Sequence, residues 1–176
     1  MPFDRQSILA LHMHGQAQLN KRELQISWHI QGPALEQISL PPPASVPQRK
    51  DRLWQNTCFE CFIKNANSSE YFEFNFSPAG DWNCYYFTDY RRGQLCWWPK
   101  DAPSTSLRID RNKNQLAFSA EIKLPTPIID AGPPLSLTAI LKEHNDKIHY
   151  MAAKHPTAKP DFHHRDNFLA WHGKIH

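Results

Sequence analysis

Hydrophobic residues recur at every second position along much of this chain. In 24-LQISWHI-30, Leu24, Ile26, Trp28 and Ile30 share one face, and Gln25, Ser27 and His29 share the other. In 115-QLAFSAEIKL-124, Leu116, Phe118, Ala120, Ile122 and Leu124 alternate with Ala117, Ser119, Glu121 and Lys123; residues 105–110 and 135–142 behave alike. A period of two marks a strand with one buried face, because successive side chains leave a pleated backbone on opposite sides. Turn chemistry separates the runs: Gly32-Pro33, Pro41 to Pro47, Ser77 to Gly80, Arg111 to Asn114, Gly132 to Pro134, and Asn145-Asp146. No segment keeps a helical period over three turns, and one helical turn near 49–54 is the most the pattern allows. The pattern predicts an all-β chain of nine or ten short antiparallel strands with little or no helix, a sandwich or a barrel, in one domain over residues 1–176. The proline-rich 40–50 segment reads as a crossing loop, since too little chain precedes it to make a domain.

Composition changes this picture little. The 15 prolines in 176 residues suit a chain of many loops and few helices. A net charge of +3 is too mild to suggest a nucleic-acid partner, and the basic–aromatic mix at Tyr85–Arg92 lacks the RNP pattern. No run approaches a membrane span, and the first fifteen residues, with an acid, an arginine and two histidines, do not read as a signal peptide. A cytoplasmic location without membrane or nucleic-acid partners is the expectation; the oligomeric state is left open. Cys58 and Cys61 have C-x-x-C spacing, but they fall inside a strand, where positions three apart point to opposite faces. All four cysteines are therefore expected to be reduced and structural.

Candidate chemistry sits in the middle of the chain. In 57-TCFECFIK-64 and 71-YFEFNFS-77, Phe59, Cys61, Ile63, Phe72, Phe74 and Phe76 suit a core, which leaves Glu60, Glu73 and Asn75 on the opposite side. If the two strands pair, both glutamates lie on one surface. Carboxylates and an amide beside aromatic rings suit sugar hydroxyls; the plain alternative is a solvated sheet face. In 81-DWNCYYFTDYRRG-93, Trp82, Cys84 and Tyr86 share one face and Asn83, Tyr85 and Phe87 the other, so one aromatic set must leave the core. Trp97-Trp98 adds a further surface that would suit a protein partner.

Six of the ten histidines fall at or after position 149, and His155, Asp161 and His163 are candidate metal ligands. The alternative is a solvated C-terminal loop. The H-x-H pair His12 and His14 lacks the following glutamate of a jelly-roll metal enzyme. No nucleophile elbow or Gly-rich phosphate loop occurs, and Glu60 with Glu73 remains a minor candidate as an acid/base pair for glycoside hydrolysis.

The run 53-LWQNTCFECFI-63, followed by 70-EYFEFNFSPAGDWNCYYFTDYR-91 and 160-PDFHHRDNF-168, resembles the DOMON-like domains related to family 9 carbohydrate-binding modules. The resemblance covers about residues 10–170 and points to a subgroup also found fused to a peptidoglycan-precursor reductase. It implies an antiparallel β-sandwich of jelly-roll type carrying a ligand pocket, with Trp54, Glu60, Glu73, Asn75, Trp82 and Tyr86 lining it and Arg91 and Asp161–His164, including His163, closing it. Haem-binding relatives use a methionine axial ligand, whereas Met13 and Met151 sit in no such motif. The expectation is a non-catalytic module for a small sugar-like ligand or glycan precursor, without a cofactor. The alternatives are a metal-dependent or acid/base enzyme using the C-terminal His/Asp loop, and a haem module.

Overall fold

The computed structural model describes residues 11–97, 99, 101–124 and 133–170. Trp98 lies outside the described residues, as do His172 and His176. Among the described residues, ten strands form two antiparallel sheets. Strands β1 (His12–Asn20), β2 (Glu23–Gln31), β7 (Ser104–Asp110) and β8 (Gln115–Lys123) make a four-stranded sheet in the order β1-β2-β8-β7. Strands β3 (Cys58–Lys64), β4 (Tyr71–Phe76), β5 (Trp82–Phe87), β6 (Leu95–Cys96), β9 (Leu135–Lys142) and β10 (Ile148–Met151) make a six-stranded sheet, ordered β10-β9-β3-β4-β5-β6. The chain is thus an antiparallel β-sandwich of jelly-roll type, with ten strands. Its helical content is short 3-10 turns at Pro33–Gln37, Leu53–Gln55 and Arg165–Asn167. The turn expected near 49–54 is the second of these; the other two break a loop and the C-terminal segment without any periodic signal.

Alternation places the core. Leu24, Ile26, Trp28 and Ile30 of β2 and Leu116, Phe118, Ala120 and Ile122 of β8 are buried between the sheets, facing Phe59, Cys61 and Ile63 of β3 and Phe74 and Phe76 of β4. Phe59 and Phe118, one from each sheet, stack with centroids 4.3 Å apart and planes 6° apart. Trp28 lies 5.5 Å from Phe59 and 5.8 Å from Phe118, a cluster of offset and tilted rings of the kind aromatic quadrupoles favour. At Gly15, a Cβ would stand 3.0 Å from Leu137 Cδ1, so the glycine lets β1 and β9 approach. Phe72 packs against this core with Trp97, whose ring is 5.0 Å from it, so Trp97 is core-facing and half-buried. Leu95–Cys96 pairs with β5 at the edge of the sheet.

The six-stranded sheet is buried on both sides. A second apolar cluster of Cys58, Phe62, Tyr71, Tyr85, Phe87, Ile140 and Phe162 covers its outer face. Cys58 and Cys61 therefore lie on opposite sides of one sheet, and all four cysteines are free, with Cys96 alone exposed.

Candidate functional site

The outer face of the six-stranded sheet holds the polar residues that alternate with the phenylalanines. In register, Glu60 of β3 lies opposite Asn75 of β4 and Thr138 of β9, and Glu73 of β4 lies opposite Phe62 and Tyr85. Glu60 and Glu73 therefore share one face as diagonal neighbours. That face is not solvated: Glu60 is 3%, Glu73 6% and Asn75 0% exposed.

The cover comes from the C-terminal segment. Leu169 pairs with Leu135 through reciprocal backbone hydrogen bonds of 3.1 and 2.9 Å, which brings 160–168 back across the sheet. The Asn167 side chain donates to the Asp161 carbonyl at 2.6 Å, and the His164 side chain accepts from the Asp166 amide at 3.3 Å, shaping a compact turn. Phe162 meets Phe62 edge-on at 6.5 Å, and Phe168 meets Tyr71 at 5.9 Å. On the other side, the 3-10 turn at Leu53–Gln55 presents Trp54 edge-on to Tyr85 at 5.7 Å.

Between these walls lies a cavity of about 390 Å³. Its polar lining is Glu60, Glu73, Arg91, Gln94 and His163. Its apolar lining includes Trp54, Phe87, Ile140, Tyr150 and Phe162.

A chain of contacts sets its electrostatics. The Arg91 backbone amide donates to the Tyr71 hydroxyl at 3.2 Å, and that hydroxyl lies 2.7 Å from His163 Nδ1. With the hydroxyl donating onward, Nδ1 is the acceptor and the ring proton belongs on Nε2, which is 3.7 Å from Glu73 Oε2. Burial, reinforced by the Arg91 charge, lowers the His163 pKa to about 4, so the ring is neutral near pH 7. Burial raises Glu73 to about 7, against the opposing pull of a 2.8 Å hydrogen bond from Asn75 Nδ2 and of Arg91. Glu60 is raised well above the usual carboxyl range by burial and by the neighbouring Glu73, with Thr138 donating at 3.4 Å.

Arg91 stands at the tip of a tight turn with φ of 52°, where Arg92 N bonds Asp89 O at 3.0 Å. Its guanidinium pairs with Asp161 Oδ1 at 2.8 Å, and the Tyr90 hydroxyl donates to Asp161 Oδ2 at 2.5 Å. Burial would raise the Asp161 carboxyl, yet these two partners outweigh it and hold the carboxyl below its usual range.

Of the residues singled out in the sequence, Trp54, Glu60, Glu73, Arg91 and His163 meet in the cavity. Asn75 lies in the floor and orients Glu73. Trp82 and Tyr86 do not join them. Register sets Trp82 opposite Phe76 and Tyr86 opposite Phe72, so both share the phenylalanine side. Trp82 is part of the inter-sheet core, and Tyr86 packs 5.2 Å from Phe72 and hydrogen-bonds Glu70. Asp81 is also structural, receiving the Gln48 amide at 2.9 Å and Lys50 Nζ at 2.6 Å.

The candidate metal ligands His155, Asp161 and His163 do not assemble among the described residues. Among the described residues no group of three His, Cys, Asp or Glu could hold an ion. Asp161 is engaged by Arg91 and Tyr90, and His163 Nδ1 by Tyr71. His14 lies opposite His29 on the exposed face of the other sheet.

Sequence reasoning missed Tyr150 and Thr138, and it reached Phe162 only within the pocket-closing segment Asp161–His164 that the family resemblance implies. Beside the cavity, Asp51 Oδ1 accepts from Asn83 Nδ2 at 2.7 Å and from the Tyr85 hydroxyl at 3.0 Å, and Arg49 donates to Asn83 Oδ1 at 2.7 Å. This network fixes the sheet beneath Trp54.

No family model matches the chain, and no curated protein matches it. Solved structures do. A family 9 carbohydrate-binding module from Caldicellulosiruptor kristjanssonii, in complex with glucose, aligns with a TM-score of 0.42 at 10% identity, over 81% of this chain and 65% of its own. A "putative carbohydrate-binding protein" from Bacteroides uniformis aligns with a TM-score of 0.61 at 11% identity, over 90% of this chain and 76% of its own. The likeness to the Bacteroides protein is one of fold, and it spans nearly the whole of this β-sandwich.

Proposed function

We propose that this protein is a non-catalytic binding module that holds a small carbohydrate in the cavity on its six-stranded sheet. The observation that carries the reading is the pair Glu60 and Glu73, buried in the floor of a cavity walled by Trp54 and Phe162. Sugar hydroxyls are donors that suit carboxylate acceptors, while the C–H faces of a sugar ring suit aromatic walls. A cavity of about 390 Å³ falls at the small end of the range for organic ligands. The DOMON-like resemblance and the shared fold with a protein named for carbohydrate binding support the same reading.

The test is a thermal-shift and calorimetric screen of monosaccharides, disaccharides and sugar nucleotides. A ligand at 100 times its dissociation constant should add about 2.7 kcal/mol of apparent stability. Trp54→Ala and Glu60→Gln are each expected to weaken that binding at least tenfold. A flat screen, or binding untouched in both variants, overturns the reading.

A further inference from the structure

The cavity holds two carboxyls whose charge, once both are ionised, its own cation does not answer. Glu60 and Glu73 face it from adjacent strands, both more than nine-tenths buried. Arg91 is the one lysine or arginine in its lining among the described residues, and its guanidinium is committed to Asp161 at 2.8 Å. His163 is turned toward Tyr71 through Nδ1 and stays neutral near pH 7. Among the described residues the other titratable neighbours of the pair, Cys58, Tyr71, Cys84 and Tyr85, carry no positive charge. The one hydrogen bond to the Glu60 carboxyl among the described residues is the long one from Thr138. The opposite walls are rings: Trp54, Phe87, Tyr150 and Phe162.

Buried carboxylates with spare acceptor capacity beside aromatic faces form a setting for an organic cation. An ammonium supplies three donors and a compensating charge, and the ring faces attract it as well. Building on the carbohydrate reading, we propose that the ligand is a sugar with a free amino group, whose ammonium sits against Glu60 and Glu73. An amino acid fits less well, because its carboxylate would need a second cation and Arg91 is already paired. A neutral sugar leaves the two carboxyls to hold a proton between them. An ammonium displaces that proton, so binding at neutral pH releases a proton to the buffer.

Calorimetry on the full chain near pH 7 tests this with glucosamine, galactosamine and mannosamine, each beside its neutral hexose and its N-acetyl form. At least one amino sugar is expected to bind tenfold or more tightly than both its counterparts. Its apparent enthalpy should change with the ionisation enthalpy of the buffer, reporting the released proton. Glu60→Gln and Glu73→Gln should abolish the preference for the amine while keeping the wild-type circular dichroism. The contrast between amine and N-acetyl forms needs no variant, so it stands even if a variant fails to fold. Equal binding of neutral and amino sugars overturns the inference and leaves the carbohydrate reading intact. Binding of ethanolamine or tetramethylammonium as tight as that of any amino sugar overturns the sugar-amine assignment. No binding by any of these compounds, together with a flat carbohydrate screen, overturns both readings.

Discussion

Glu73 keeps its proton where an exposed glutamate has lost it, because burial lifts its pKa from the usual 4.5 to about 7. Across that window the folded state binds more protons than the unfolded chain, so stability falls as pH rises from about 4.5 to about 7. At about 1.4 kcal/mol per pKa unit, a rise from 4.5 to about 7 sets the scale at about 3 kcal/mol. Glu60, also raised, acts with the same sign. His163 acts oppositely: its folded pKa, about 4 against the usual 6.5, makes stability fall as pH drops through that interval. The histidine offsets one of the two glutamates, so in the wild type the glutamate sign prevails and stability falls as pH rises towards 7. The double variant Glu60→Gln/Glu73→Gln is expected to uncover the histidine alone, with urea-derived stability climbing from pH 4 to 6.5. At pH 8 it should exceed the wild type by about 1–3 kcal/mol. A variant curve parallel to the wild type across pH 4–8 would show that burial does not set these protonation states.

At the scale of elements, one hydroxyl ties three segments together. Tyr71 on β4 accepts from the Arg91 amide in the turn after β5 and reaches His163 in the C-terminal segment. Tyr71→Phe leaves His163 Nδ1 without that partner, at a cost of about 1–3 kcal/mol. Hydrogen exchange should quicken in 160–168 and 89–92 while β2 and β8 keep their protection. A loss spread evenly over all strands would argue against this local anchoring. The same contrast explains what the sequence made legible. Strand parity is a local property, so 24–30, 57–64, 71–77 and 115–124 could be read directly, and with them the shared face of Glu60 and Glu73. Which parity of β5 faces the core depends on its register with β4, and for that reason Trp82 and Tyr86 were assigned to the pocket although pairing with Phe76 and Phe72 turns them inward. The C-terminal segment has no period. Its residues were recognised as pocket-closing only through the family resemblance, and nothing local revealed that Phe162 and Phe168 would cover the glutamates.

The whole molecule has three layers: the four-stranded sheet, the six-stranded sheet and the C-terminal cover. This explains why β3, for which a solvated outer face was the plain alternative, is buried at six of its seven positions. The four cysteines fall across the layers. Cys96 is exposed on the edge strand; Cys58 lies under the cover; Cys61 and Cys84 lie between the sheets. Burial pushes the Cys58, Cys61 and Cys84 thiols well up, and a thiol reagent attacks only the thiolate, so each must first be uncovered. The C-x-x-C pair thus becomes two clocks set on opposite sides of a single strand. In pulsed alkylation under mild denaturant, Cys96 is expected to react at once, Cys58 when the cover lifts, and Cys61 with Cys84 only when the sandwich opens. Cys58 reacting in step with Cys61 would mean that the cover and the sandwich open as one cooperative unit, and mass spectrometry of the labelled chain distinguishes the two cases.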